Sequence, residues 1–159
     1  MYLKFKNLSQ DARCWIYILK SPLKKALVKE LNFELKKICE NWISHGKNIN
    51  SNYNIIDKQF IILFAEENEV SGCSIDATNN EMIRILNVLG ISLNPNSKIG
   101  IFKKDKIEFY DKNEIIDLIK KNEFSLSTIM INTTIKNKNE FENSWKIQIK
   151  DSWLKNFIR

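Results

Sequence analysis

The sequence predicts an α+β fold: a single mixed or antiparallel sheet of about five strands, with helices packed mainly on one face. Three observations carry this expectation. Aromatic and β-branched runs alternate with helix-period segments along the chain. One of those segments, residues 23–42, repeats its apolar side chains every three or four positions. Residues 99–103 and 107–110 flank Lys104-Asp105, which reads as a hairpin and so requires antiparallel pairing. A doubly wound parallel α/β sheet is the alternative, and the hairpin weighs against it. The length of 159 residues is that of one domain, so residues 1–159 are read as a single globular domain.

Each element has its own warrant. Cys14-Trp15-Ile16-Tyr17-Ile18-Leu19 is aromatic and β-branched, a buried strand. Ser21 and Pro22 suit an N-cap and first helical position. Leu23, Leu27, Leu31, Leu35, Ile38 and Trp42 then form one helical face, with lysines mostly off it and Gly46 as the expected stop. Residues 55–64 read as a second strand, followed by an acidic loop at residues 66–69 and a turn at Ser71-Gly72. A second helix is expected over residues 77–89, ending at Gly90. After the hairpin, Asp111 or Asn113 could cap a short helix carrying Ile115, Ile116 and Ile119. Residues 128–135 read as a further strand, residues 140–145 as a short helix, and the end is aromatic, with Trp153 and Phe157 four apart.

Composition narrows the function classes. With 43% hydrophobic and 28% charged residues the chain is ordinary globular protein and not a disordered segment. The longest dense apolar run, Phe60-Ile61-Ile62-Leu63-Phe64, is strand length and far short of the ~18 residues of a membrane span. The start, Met1-Tyr2-Leu3-Lys4-Phe5-Lys6, lacks the apolar stretch of a signal peptide, so the expected location is the cytoplasm. Cys14, Cys39 and Cys73 are odd in number and lack metal-ligand spacing, and His45 is the single histidine. Neither a disulfide framework nor a metal site is expected.

The net charge of +6 suggests an acidic or nucleic-acid partner. The basic residues are nearly all lysine and no binding motif accompanies them, so a lysine-, asparagine- and isoleucine-rich composition explains the charge as well. Lys103, Lys104 and Lys106 beside Phe102, Phe109 and Tyr110 could track a phosphate backbone and stack bases. The same lysines would also protect a sheet edge while the aromatics fill a core.

Two segments carry reactive residues. Cys73 lies just before an expected helix, where free amides and the helix dipole lower a thiol pKa. His45 is expected at the end of another helix, where the dipole favours imidazolium. Brought together, Cys73 and His45 would form a nucleophile and base, with Asp76 as orienter. The turn at Gly72, Cys73 and Ser74 could instead bind an anion through backbone donors. Against both stands a plain structural reading: Ser74 and Asp76 as helix caps, Gly72 as a positive-φ turn residue, Cys73 as a small buried apolar side chain, and His45 bonded to helical carbonyls. There is no Walker A loop: Gly46-Lys47 is followed by Asn48 and lacks the earlier glycine. No Rossmann G-x-G-x-x-G and no G-x-S-x-G elbow is present, and no cofactor is expected.

Trp15-Ile16-Tyr17, the W-x-x-H-G run Trp42-Ile43-Ser44-His45-Gly46, Phe60-Ile61-Ile62, the S-G-C-S-I-D run at residues 71–76, and the ending from Trp145 through Asp151-Ser152-Trp153 to Phe157 together resemble a family of small Bacteroidetes proteins commonly labelled "ABC transporter ATPase". The resemblance covers nearly the whole chain. It implies a cytoplasmic location and supplies no activity. The label reads as a misannotation, because such ATPases need Walker A, Walker B and signature motifs. The tail departs from the family pattern. Members commonly carry proline after the first of those tryptophans and histidine after the second, where this chain has Ile147 or a neighbour, and Leu154.

The leading expectation is therefore a small cytoplasmic accessory or protein-binding domain without catalytic activity. The alternatives are a thiol-dependent transferase or hydrolase using Cys73 with His45, and a basic protein associated with RNA or the ribosome.

Overall fold

The computed structural model describes residues 1–66 and 68–158. Among the described residues the chain is α+β, with four α-helices and sheets of three, two and four strands. The expected single sheet of about five strands is corrected to these separate sheets. Every pairing between their strands is antiparallel, which removes the doubly wound alternative. Among the described residues no helix is long and apolar enough to cross a membrane. Glu67 of the expected acidic loop lies outside the described residues.

The chain, read from its sequence as one domain, divides into two compact units: Met1–Asn94 with Lys136–Asn139, and Pro95–Ile135 with Glu140–Arg159. The first unit contains β1 (Arg13–Ile18), α1 (Lys25–Asn41), β2 (Ile43–Ser44), β3 (Lys47–Asn48), β4 (Ser51–Ile56), β5 (Phe60–Ala65) and α2 (Gly72–Val88). Strand order in its larger sheet is β1-β5-β4. The central strand, Phe-Ile-Ile-Leu-Phe-Ala, is buried along its whole length, as an uninterrupted apolar run requires when both faces of a strand are covered. Ile61, Leu63 and Ala65 project into a core with Leu31, Leu35, Ile38 and Cys39 of α1 and Met82, Ile85 and Leu86 of α2.

The expected strand over residues 55–64 is corrected to two strands. Asp57 and Lys58 take positive φ (50° and 56°) and turn β4 back onto β5. The helix bounds shift for related reasons. Leu23 donates its amide to Lys58 O at 2.9 Å, which holds residues before Lys25 outside the helix despite Ser21 and Pro22. At the other end α1 stops at Asn41, not at Gly46. Trp42 is buried, packs on Trp15 with ring centroids 5.5 Å apart, and gives its carbonyl to Ile49 N at 2.9 Å. His45 and Gly46 then close the β2–β3 hairpin with φ of 49° and 76°. Paired positive φ values at the two central residues are the hallmark of a type I′ turn.

The second unit contains β6 (Ile99–Lys103), β7 (Lys106–Tyr110), α3 (Lys112–Lys120), β8 (Ile129–Ile131), β9 (Lys146–Gln148) and, from Glu140 on, α4 (Lys138–Ser144). Its sheet runs β7-β6-β8-β9. The hairpin at Lys104-Asp105 forms as expected, both turn residues at positive φ. Asp111 N accepts the N-terminal role of α3, donating its amide to Glu114 Oε2 at 2.6 Å. Ile99, Ile101, Ile115, Phe124, Met130, Ile149 and Leu154 form the core of this unit.

Candidate functional site

The two singled-out segments meet in the first unit. Ser71 is the N-cap of α2: its Oγ accepts from Ser74 N at 3.3 Å, while Ser71 N donates to Ser74 Oγ at 3.0 Å. Such a reciprocal pair satisfies two of the donors that a helix start leaves open. Ser44 of β2 donates its hydroxyl to the same Ser71 Oγ at 2.9 Å. One oxygen thus ties the W-x-x-H-G segment to the S-G-C-S-I-D segment. Ser44 and Ser74 are buried and Ser71 is half-buried, so these hydrogen bonds are partly shielded from competing water.

This corrects the local expectation for α2, which begins at Gly72 and not near Ala77. Gly72 is its first helical residue, with no positive φ and open space where a side chain would stand. Cys73 and Ser74 follow within the first turn. Cys73 is exposed, not sealed among apolar side chains. Asp76 is exposed one turn further on and is not the cap. His45 sits exposed on the hairpin turn, not at a helix C-terminus, so no helix dipole acts on it in the way expected. His45 lines a cavity of about 390 Å³ with Ser44, Lys47, Asn48, Ile49, Asn68 and Glu69; Cys73 and Asp76 are not among those lining residues. Glu69 there is held by Asn50, whose backbone N donates to it at 2.6 Å. The amides of Gly72 and Cys73 belong to the first turn, but Ser74 N is already taken by Ser71. Among the described residues no group of three His, Cys, Asp or Glu side chains could hold a metal ion.

A larger feature lies on the other side of the α2 start. A groove of about 440 Å³ runs between α1 and α2, lined at one end by Trp42, Ile43 and Ser74 and further along by Ile38, Thr78 and Ile85. It continues into a second hollow of about 290 Å³ that shares Glu34, Lys37, Arg84 and Ile85 and ends at Val88 and Leu89. Trp42 Nε1 is sealed behind the groove without an acceptor among the described residues. The rim charges pair with each other: Lys37 Nζ to Glu34 Oε1 at 3.0 Å, and Arg84 to both Glu81 oxygens at 2.7 and 2.8 Å. The Arg84 hydrogen bonds hold the Glu81 carboxyl below its usual range, and the same bonds raise the Arg84 guanidinium, with Glu34 adding to the effect.

Sequence reasoning did not point to this groove. The signal was present in apolar residues that fall off the helix stripes. Val88, Phe33 and Ile43 are 74%, 61% and 54% exposed, the three most exposed large apolar side chains among the described residues. Ile43 and Val88 line the two ends of the groove, and Lys37 lies 4.2 Å over the Phe33 ring.

In the second unit, the hairpin lysines and aromatics are partly committed. Lys103 pairs with Glu108 at 3.7 Å and stands 5.8 Å over the Phe124 ring. Tyr110 packs edge-on to Phe124 in the core and donates its hydroxyl to Glu108. Trp153 and Phe157 form an exposed edge-to-face pair 6.0 Å apart, with Lys112 4.2 Å over Phe157. Compared with known proteins, the chain matches no family model, no curated protein and no solved structure.

Proposed function

We propose that this chain is a small cytoplasmic accessory domain that binds a protein partner through the α1–α2 groove and performs no catalysis. The observation that carries the reading is the clustering of the most exposed apolar side chains at that groove. Val88 and Ile43 stand at its ends, and Phe33 packs under Lys37, one of its lining residues. Solvent-facing apolar residues gathered around a concave strip mark protein contact surfaces, whereas scattered ones need no explanation.

The resemblance to the small Bacteroidetes proteins supports the cytoplasmic part of this reading alone. Its two most specific motifs carry Ser44 and Ser71, which hydrogen-bond to each other and so have a structural reason to occur together.

Affinity capture from native extract tests the proposal. The wild-type chain should recover a stoichiometric protein that Ile43→Asp and Val88→Asp baits lose. Recovery of none, or of one indifferent to both substitutions, overturns it.

A further inference from the structure

We infer that the partner seated on the α1–α2 groove is a second copy of this chain, in a two-fold symmetric dimer. The inference rests on the docking reading above and names its occupant. Its first support is charge. The chain carries +6, so two copies repel over most approaches. The groove does not add to that repulsion: its charged lining residues are two acids, Glu34 and Glu81, and two bases, Lys37 and Arg84. A face holding equal numbers of both signs is its own electrostatic complement, since a two-fold axis can set each carboxylate of one copy against a base of the other.

The second support is shape. The same face carries projections and a hollow. Val88 is 74% exposed and Ile43 54% exposed, and both border the groove that apolar side chains of this size could fill. Reciprocal insertion, with residue i of one copy on residue j of the other and the reverse, is what an isologous interface requires. A foreign partner would explain the apolar side chains but would not require a rim balanced to neutrality on a basic protein.

Sedimentation velocity on the full chain from ~5 to ~500 µM tests the inference. The wild type should shift from monomer to dimer across that range. Val88→Asp, at an exposed position where the fold should survive, should raise the half-dimer concentration at least about tenfold. Arg84→Glu makes the face net negative and Glu81→Arg makes it net positive. Each alone should weaken dimerisation at least about tenfold, and an equimolar mixture of the two should dimerise at least as well as wild type. Circular dichroism of each variant alone establishes that it is folded, so that a failed rescue counts against the interface. Wild type that stays monomeric, a dimer indifferent to Val88→Asp, or a mixture that stays monomeric overturns the inference. A monomeric chain that still captures a foreign protein through Val88 would leave the docking reading standing. A monomer that captures nothing would remove both.

Discussion

Ser44 Oγ donates to Ser71 Oγ at 2.9 Å, and that contact joins a hairpin to the start of a helix 27 residues away. Ser71 Oγ is also the acceptor for Ser74 N. Losing it therefore removes a helix cap and leaves Ser44 buried without its acceptor. We expect Ser71→Ala to cost about 1–2 kcal/mol in urea unfolding. Ser44→Ala should cost less, because Ser71 keeps its bond to Ser74. A double-mutant cycle should give a coupling of about 0.5–1.5 kcal/mol, and additive effects would show that the two hydroxyls act separately.

The glycines should separate by conformation. Gly46 sits at φ +76° and Gly72 in open space without positive φ. Gly46→Ala should destabilise by about 1 kcal/mol, since a Cβ is disfavoured in the left-handed region. Gly72→Ala should be neutral or stabilising by about 0.4–1 kcal/mol, because it only reduces the freedom of the unfolded chain. Thermal unfolding of the two variants side by side distinguishes them.

Gly100 is required for a different reason. A Cβ there would meet Ile107 Cγ2 at 3.0 Å and Ile131 Cγ1 and Phe109 Cε1 at 3.3 Å. These side chains would have to give way by a few tenths of an ångström in a packed core, so Gly100→Ala should cost about 1–3 kcal/mol. Loss of slow-exchanging amides in β6 and β8 would report it, and unchanged exchange would count against the crowding.

Alkaline pH should weaken the first unit. Burial pushes the Cys39 thiol from 9.0 and the Tyr17 and Tyr53 hydroxyls from 10.0, each up to about 12. Above about pH 9 the unfolded chain releases these protons while the folded chain keeps them, so unfolding is favoured. The stability is fully present below the unfolded values and is lost as pH rises toward 12. The urea midpoint should fall between about pH 8 and pH 11. Alkylation of the native protein at about pH 8 should label exposed Cys73 and spare Cys39, as read by peptide mass spectrometry.

Much of the fold was legible where one signal dominated. Leu31, Leu35 and Ile38 follow the helical period and are buried, and Gly90 ends α2 at φ +65°, with Ile91 N reaching Leu86 O at 2.8 Å. The 99–110 hairpin was legible although its turn residues are Lys104 and Asp105. Errors arose where one residue pattern serves two conformations. Gly46 at positive φ fits a helix stop as well as a type I′ turn, and only the burial of Trp42 against Trp15 decides between them. Ser71-Gly72 reads as a turn, yet Ser74 makes it a capping box with serine where Glu or Gln is usual. The split at Asp57-Lys58 was hidden because these residues have weak turn signals and sit between apolar runs. The groove was less legible still, since Val88 and Ile43 are informative only once their exposure is known.

Strand β5 has a consequence for the life of the chain outside its folded state. Phe60-Ile61-Ile62-Leu63-Phe64-Ala65 has no charge, no proline and no glycine, and both its edges are occupied by β1 and β4. A segment of that kind is a template for cross-β stacking whenever its edges come free. Neighbouring β4 is joined to it by a short turn and can protect one side early, but β1 must return across the whole of α1. Damage to β1 would therefore show first as insolubility and only afterwards as loss of helix.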